Sequence, residues 1–313
     1  MKKILFAVSA VALALSAGSA MAADLPSRKE APVYVPPPPP PMWTGFYVGL
    51  NAGGAFGSGS VDAIGGPIYA NPGFGPVAGP LLASGLGAVT NASLSGSNGG
   101  FVGGGQIGYN WQFNAFVVGL EADIQGFAGS NRTASAVSGV PVTFGGVPVD
   151  NFVGTTSVNR SLDYLGTVRG RVGYLFTPTL LIYGTGGLAY GGVNLNSTFF
   201  GTDTLLGGLG AASPAFGGSS HSDTRVGWTA GGGVEWMFAP NWSAKLEYLY
   251  FDLGTATTPV SVSTQVATGP IAGLGPLLSA AQQVSSRFNG NIVRAGVNYH
   301  FNWGAPAPVV AKY

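Results

Sequence analysis

Charged residues make up only 8% of this 313-residue chain, and several of them recur two positions apart. Glu121 and Asp123, Arg169 and Arg171, and Lys245 and Glu247 follow this spacing. Paired carboxylates can hold a cation or act as acid and base. In an extended strand, residues two apart share one face. In "FVVGLEADIQGF" (Phe116 to Phe127) one face then carries Glu121, Asp123 and Gln125, and the other carries Phe116, Val118, Leu120, Ala122 and Ile124. The same parity adds Glu235 and Arg294, and also Arg225, which sits at a loop end outside the main set. The main set holds four acids (Glu121, Asp123, Glu235, Glu247) and four bases (Arg169, Arg171, Lys245, Arg294). Balanced numbers favour mutual neutralisation over cation binding or acid–base work.

No nucleophile–His–acid arrangement accompanies these charges. His221 falls in a long loop, and His300 points inward near one rim. Runs such as Gly103–Gly105 and Gly231–Gly233 resemble phosphate loops only superficially, since no helix follows them. The expectation is no enzyme, no catalytic residue, no metal and no cofactor. The eight charges are read instead as a network facing the inside of a closed structure.

The elements that must position them are strands, expected near 44–57, 99–112, 115–127, 161–176, 179–194, 225–238, 242–253 and 289–301. Each is long enough to cross a bilayer at a tilt. Short links (Gln112–Asn114, Thr177–Pro178, Ala239–Asn241) alternate with long ones near 58–98, 128–160, 195–224 and 254–288. This sorting fits an outer-membrane barrel with short periplasmic turns and long outer loops. The fold class expected is all-β: an eight-stranded antiparallel up-and-down transmembrane barrel with four long extracellular loops and short periplasmic turns. Eight strands leave an interior just wide enough for side chains to fill.

Composition agrees. The mean hydropathy is +0.31 and 46% of residues are hydrophobic, while soluble domains carry about 25% charge. Yet beyond the first 23 residues no apolar run approaches a spanning helix. A net charge of +1 gives no reason to expect a nucleic-acid partner. Lys2 and Lys3, the apolar stretch Ile4–Ala17 and "AMA" (Ala20–Ala22) read as a secretory signal peptide over 1–22. A Pro-rich periplasmic linker is expected over 23–42, the barrel over 43–301 and a tail over 302–313. The chain has no Cys and so no disulfides.

Aromatic residues flank the short turns on the outward parity: Tyr109, Trp111, Phe116, Tyr174, Phe176, Trp236, Phe238, Trp242, Tyr299 and Phe301. They read as the aromatic girdle of one membrane interface. A sparser set (Phe101, Tyr164, Tyr190, Trp228, Tyr250) lies toward the long loops. The chain also repeats itself. "FVGGGQIGYNW" matches "WTAGGGVEWMF" at an offset of 127, "VGLEAD" matches "AKLEYL" at 126, and "TVRGRVGYLF" matches "IVRAGVNYHF" at 125. Two four-stranded halves follow, with Glu121 and Arg169 equivalent to Glu247 and Arg294. The long loops share Leu-Gly pieces at 79–87, 204–214 and 271–281, expected to pack on each other or on a partner.

With "WTGFYVGLNAGG", "GGGQIGYNWQ", "GLEADIQG", "LGTVRGRVGY", "KLEYLYFDLG" and "VRAGVNYHF" in view, the chain resembles the small outer-membrane barrel proteins of alphaproteobacteria. These are porin-family or opacity-like proteins, related in fold to the OmpA membrane domain. The resemblance implies a bacterial outer-membrane location and an abundant surface protein tied to envelope integrity and host interaction. It implies outer-membrane lipid and lipopolysaccharide as surroundings, and barrel-insertion machinery reading the C-terminal strand. Such barrels usually end on the last strand's aromatic, here Phe301, whereas this chain continues to Tyr313. The function expected is structural and surface-interacting. A narrow porin for small solutes is the alternative, and an adhesin or receptor for haem or a host ligand, acting through the loops, is a further one.

Overall fold

The computed structural model describes residues 43–72, 75–203, 214–264 and 278–301. The expected signal peptide, linker and tail lie outside the described residues. So do almost all of the Leu-Gly piece at 204–214 and most of the one at 271–281. The elements are β1 (Gly45–Ala70), α1 (Gly75–Val89), β2 (Ala92–Phe113), β3 (Phe116–Ala128), β4 (Arg132–Phe144), β5 (Val147–Thr177), β6 (Leu180–Asp203), β7 (Ala215–Ala239), β8 (Trp242–Thr264) and β9 (Leu278–Phe301).

All ladders are antiparallel, in the order β3-β2-β1-β9-β8-β7-β6-β5-β4, and β3 also pairs with β5. That last pairing closes a ring of eight: β1, β2, β3, β5, β6, β7, β8 and β9. The ninth strand, β4, stands outside the ring. It pairs with the far half of β5 (Arg132↔Arg160 to Phe144↔Val147), while β3 pairs with the near half (Phe116↔Tyr174 to Gly126↔Tyr164).

Three tight turns define one end of the barrel. Asn114, in the β2–β3 turn, has φ +54°, a left-handed geometry that Asn tolerates better than most residues. The other two turns place Pro178 and Pro240 between strands, where a fixed φ and a missing N–H do no harm.

At the far end the expected loops are corrected. Ser, Thr and Gly there do not break the strands, because alternate side chains still bury: Val61, Ala63, Val158, Val193, Leu195, Val260, Val262 and Val284 face inward. Strand backbone continues through 58–70, 92–98, 147–160, 195–203, 215–224, 254–264 and 278–288. His221 consequently lies in β7, opposite Leu195, and not in a loop. The piece at 79–87 lies in α1, whose Ala83, Leu86 and Val89 are buried in the upper core. Gln282 Nε2 donates to Thr90 O at 2.6 Å and pins the helix exit to β9.

Burial alternates along the strands, and β3 shows it most plainly: Val117, Gly119, Glu121, Asp123 and Gln125 bury, while Phe116, Val118, Leu120 and Ile124 are exposed. The outer face is a continuous apolar band. Trp111, Phe116, Tyr174, Phe176, Trp236, Phe238 and Trp242 are exposed beside the turns, with Tyr109, Tyr299 and Phe301 half-buried among them. Neighbouring rings pack edge to face or tilted, as in Phe116–Tyr174 at 5.5 Å and Trp242–Tyr299 at 5.1 Å between centroids.

Val168 sits on this band between Tyr164 and Tyr174, opposite Ala122 and Leu188. Val168→Arg should reduce the stability of the vesicle-folded barrel by about 2–4 kcal/mol, whereas Val168→Leu should leave it nearly unchanged. Urea titration of vesicle-folded protein measures both.

Candidate functional site

Inside the ring, all eight charged residues singled out in the sequence lie together, each 5% exposed or less. Strand parity delivers them. Glu121 and Asp123 come from β3, Arg169 and Arg171 from β5, Glu235 from β7, Lys245 and Glu247 from β8, and Arg294 from β9. The register puts Glu121 directly opposite Arg169 and Glu247 directly opposite Arg294. Around the ring β3 is diametrically opposite β8, and β5 opposite β9. The repeated halves therefore place two acid–base pairs face to face across the lumen.

The pairs do not stay separate. Arg169 Nη2 binds Glu121 and also Asp123 Oδ2 at 2.7 Å, and its Nη1 crosses to Glu247 Oε1 at 3.0 Å. Arg294 answers from the other side, with Nη2 2.6 Å from Glu247 Oε2 and 2.9 Å from Asp123 Oδ2. Its Nη1 donates to Gln125 Oε1 at 3.0 Å. Lys245 Nζ lies 3.1 Å from Glu121 Oε1 and 3.7 Å from Glu247 Oε2. Closer to the turns, Arg171 Nη2 donates to Glu235 Oε2 at 2.7 Å. The same guanidinium lies over the Tyr183 ring at 4.1 Å.

Sequence reasoning did not single out the neutral residues that complete the network. Tyr47 donates to Glu121 Oε2 at 2.7 Å and Tyr183 to Glu247 Oε1 at 3.1 Å. Thr167 donates to Asp123 Oδ2, and Ser243 and Asn298 both donate to Glu235 Oε1. The signal was available, since Tyr47 alternates with exposed Phe46 and Val48. Their contribution is physical: a carboxylate removed from water needs several donors, not one counter-charge.

Glycine makes the room. Gly187 stands opposite Arg169, Gly119 opposite Arg171, Gly233 opposite Glu247, Gly53 opposite Arg294 and Gly296 opposite Lys245. A Cβ on Gly187 would lie 2.2 Å from Val168 O and 2.7 Å from Arg169 Cα.

Apolar layers bound the network above and below. Toward the turns, fully buried Trp43 joins Val117, Leu175, Leu181, Tyr183 and Met237, and Trp43 Nε1 donates to Pro178 O at 3.1 Å. His300 stacks edge-on against Trp43 at 5.7 Å and lies 2.8 Å from Ser243 Oγ. On the far side, Val102, Leu165, Leu249 and Ile292 begin a larger core that continues to α1.

A closed ring with an apolar exterior and an ion-paired interior is the inverse of a soluble protein, and it defines a membrane β-barrel. The outer membrane protein beta-barrel domain matches residues 10–301, and the chain belongs to that family. It is 34% identical over 307 residues to the 31 kDa outer-membrane immunogenic protein of Brucella melitensis, covering 96% of this chain and 100% of that one. It is 36% identical over 151 residues to the 22 kDa outer membrane protein of Rhizobium leguminosarum bv. viciae, covering 48% and 52%. Among solved structures, Neisserial surface protein A is 13% identical over 82% of this chain and 98% of its own, with a TM-score of 0.27. The protein is therefore an outer-membrane barrel protein.

Two variants probe the network. Arg169→Met leaves three carboxylates short of a partner, and should cost about 3–5 kcal/mol of stability. Gly187→Ala keeps every charge but crowds the ladder, and should cost about 1–3 kcal/mol. Urea unfolding in detergent micelles gives both values.

Proposed function

We propose that this protein is a closed, non-catalytic barrel that stiffens the outer membrane and presents its far end at the cell surface. One observation carries the reading: the eight lumen charges neutralise one another in a layer sealed between the Trp43 cluster and the larger core. In a wet pore, opposed charges would be separated by water and exposed, and their pairing would be weak.

The short turns belong on the periplasmic side and the extended hairpins with α1 on the outside. The shortness of these turns beside the long connections at the other end supports this orientation. The naming of a relative as an outer-membrane immunogenic protein supports surface exposure of the far end. Surface interaction then falls to the strand extensions, above all the β4–β5 hairpin. Its Gly145–Gly146 turn (φ +58° and +85°) carries Phe144 and Val147 exposed on either side.

Two measurements test the reading. Purified refolded protein in a planar bilayer should show no steady single-channel conductance. A stable conductance whose ion selectivity changes in Glu121→Gln would replace the closed barrel with a narrow porin. An epitope inserted between Gly145 and Gly146 should be labelled on intact cells and one at Pro240 should not; the reverse pattern would invert the orientation.

A further inference from the structure

Above the level where β3 ends, the wall is not closed by backbone. The Ala92–Gly100 part of β2 is laddered only to β1, and β4 only to β5, among the described residues. Among the described residues, side-chain bonds span the seam from Arg132 Nη2 to Gly99 O at 3.0 Å and from Ser138 Oγ to Asn91 O at 3.1 Å. A cleft of about 520 Å³ lies at this seam, with Gly59, Val61, Val158 and Arg160 along its inner side, and Ser95 and Thr133 among its lining.

Arg160 is anomalous there. Its side chain is 6% exposed, and its bonds are neutral: Nη1 donates to Ser286 Oγ at 3.2 Å and to Arg287 O at 3.5 Å. Nη2 is buried and has no hydrogen-bond partner. No described carboxylate forms an ion pair with it, in contrast to the lumen arginines. Burial lowers its pKa, and no acidic neighbour offsets the effect. Outside the described residues the acidic side chains are Asp24 and Glu30, both in the N-terminal segment. The residue directly across the ladder is a second cation, Arg132, and like charges facing each other in this way destabilise a sheet. Gly59 keeps the space open, since a Cβ there would lie 2.1 Å from Arg160 Nη1.

A buried guanidinium needs a counter-charge, and two forks side by side match a tetrahedral oxyanion. We propose that the seam cleft is a binding site for a phosphoryl or sulfuryl group, held by Arg160 from within and Arg132 at the rim. The cleft exceeds such a group in volume and its rim carries hydroxyls, so the group would arrive on a polar body such as a sugar. This proposal does not depend on whether the lumen conducts.

The test uses the full chain folded in nonionic micelles, with urea midpoints compared in chloride and in inorganic phosphate at matched ionic strength. Phosphate should raise the parent's midpoint, and its apparent affinity should fall by about tenfold or more in Arg160→Gln. In chloride, Arg160→Gln should unfold no earlier than the parent, because it removes an uncompensated charge. Arg132→Gln, at the exposed rim, should weaken the phosphate response and provides a second variant if the first fails to fold. Arg225→Gln, which loses only a surface pair with Asp223, should respond like the parent. A second arm adds lipopolysaccharide to the micelles: a parent-only shift with it would place the group on the membrane lipid, and a shift with phosphate alone would place it on a soluble ligand. The proposal is overturned if neither addition shifts the parent, or if both shift parent and Arg160→Gln equally.

Discussion

Everything in this barrel answers to one constraint: charge placed in a narrow, dry lumen must be neutralised there, on all sides at once. Two arginines, Arg169 and Arg294, do most of it. A guanidinium is planar and offers five donors in a fixed fork. Each of the two therefore reaches carboxylates on more than one strand. A lysine in either place would satisfy fewer oxygens, and Lys245 accordingly occupies a supporting position between Glu121 and Glu247.

The constraint propagates outward. Side chains of this length crowd an eight-stranded ring, so glycine flanks Arg169, Arg171, Lys245, Glu247 and Arg294 on one side. The inner polar layer in turn allows the outer face to be uniformly apolar, since each strand alternates between the two. Interior and exterior are thus specified by the same period of two, and a one-residue slip would exchange them. Removing a single lumen charge disturbs partners on several strands. The network then acts as a lock on register as well as a source of stability.

The far half of the molecule follows different rules. There the interior is mainly apolar, helix α1 fills part of it, and among the described residues β4 is laddered to β5 alone. The wall between β2 and β4 depends on side chains for closure. That is also where buried Arg160 has no acidic partner among the described residues. A chain that neutralises its charges so thoroughly near the turns leaves this one to be met from outside.

Much of this was legible in the sequence. Parity alone put the eight charges on the buried side and the aromatic set on the outer side, because alternation in a strand is local and each residue's side follows from its neighbours. That Glu121 and Arg169, and Glu247 and Arg294, lie at similar depth followed from counting residues from the short-turn end, although long connections join their strands. The far-end strands were read as loops because Gly, Pro and Ala weaken strand propensity, which tertiary packing then overrode. The ninth strand, the helix and the cross-lumen bonds from Arg169 to Glu247 and Arg294 to Asp123 were decided only by the fold. They depend on which strands meet when the ring closes, and no local spacing encodes the distance across a barrel.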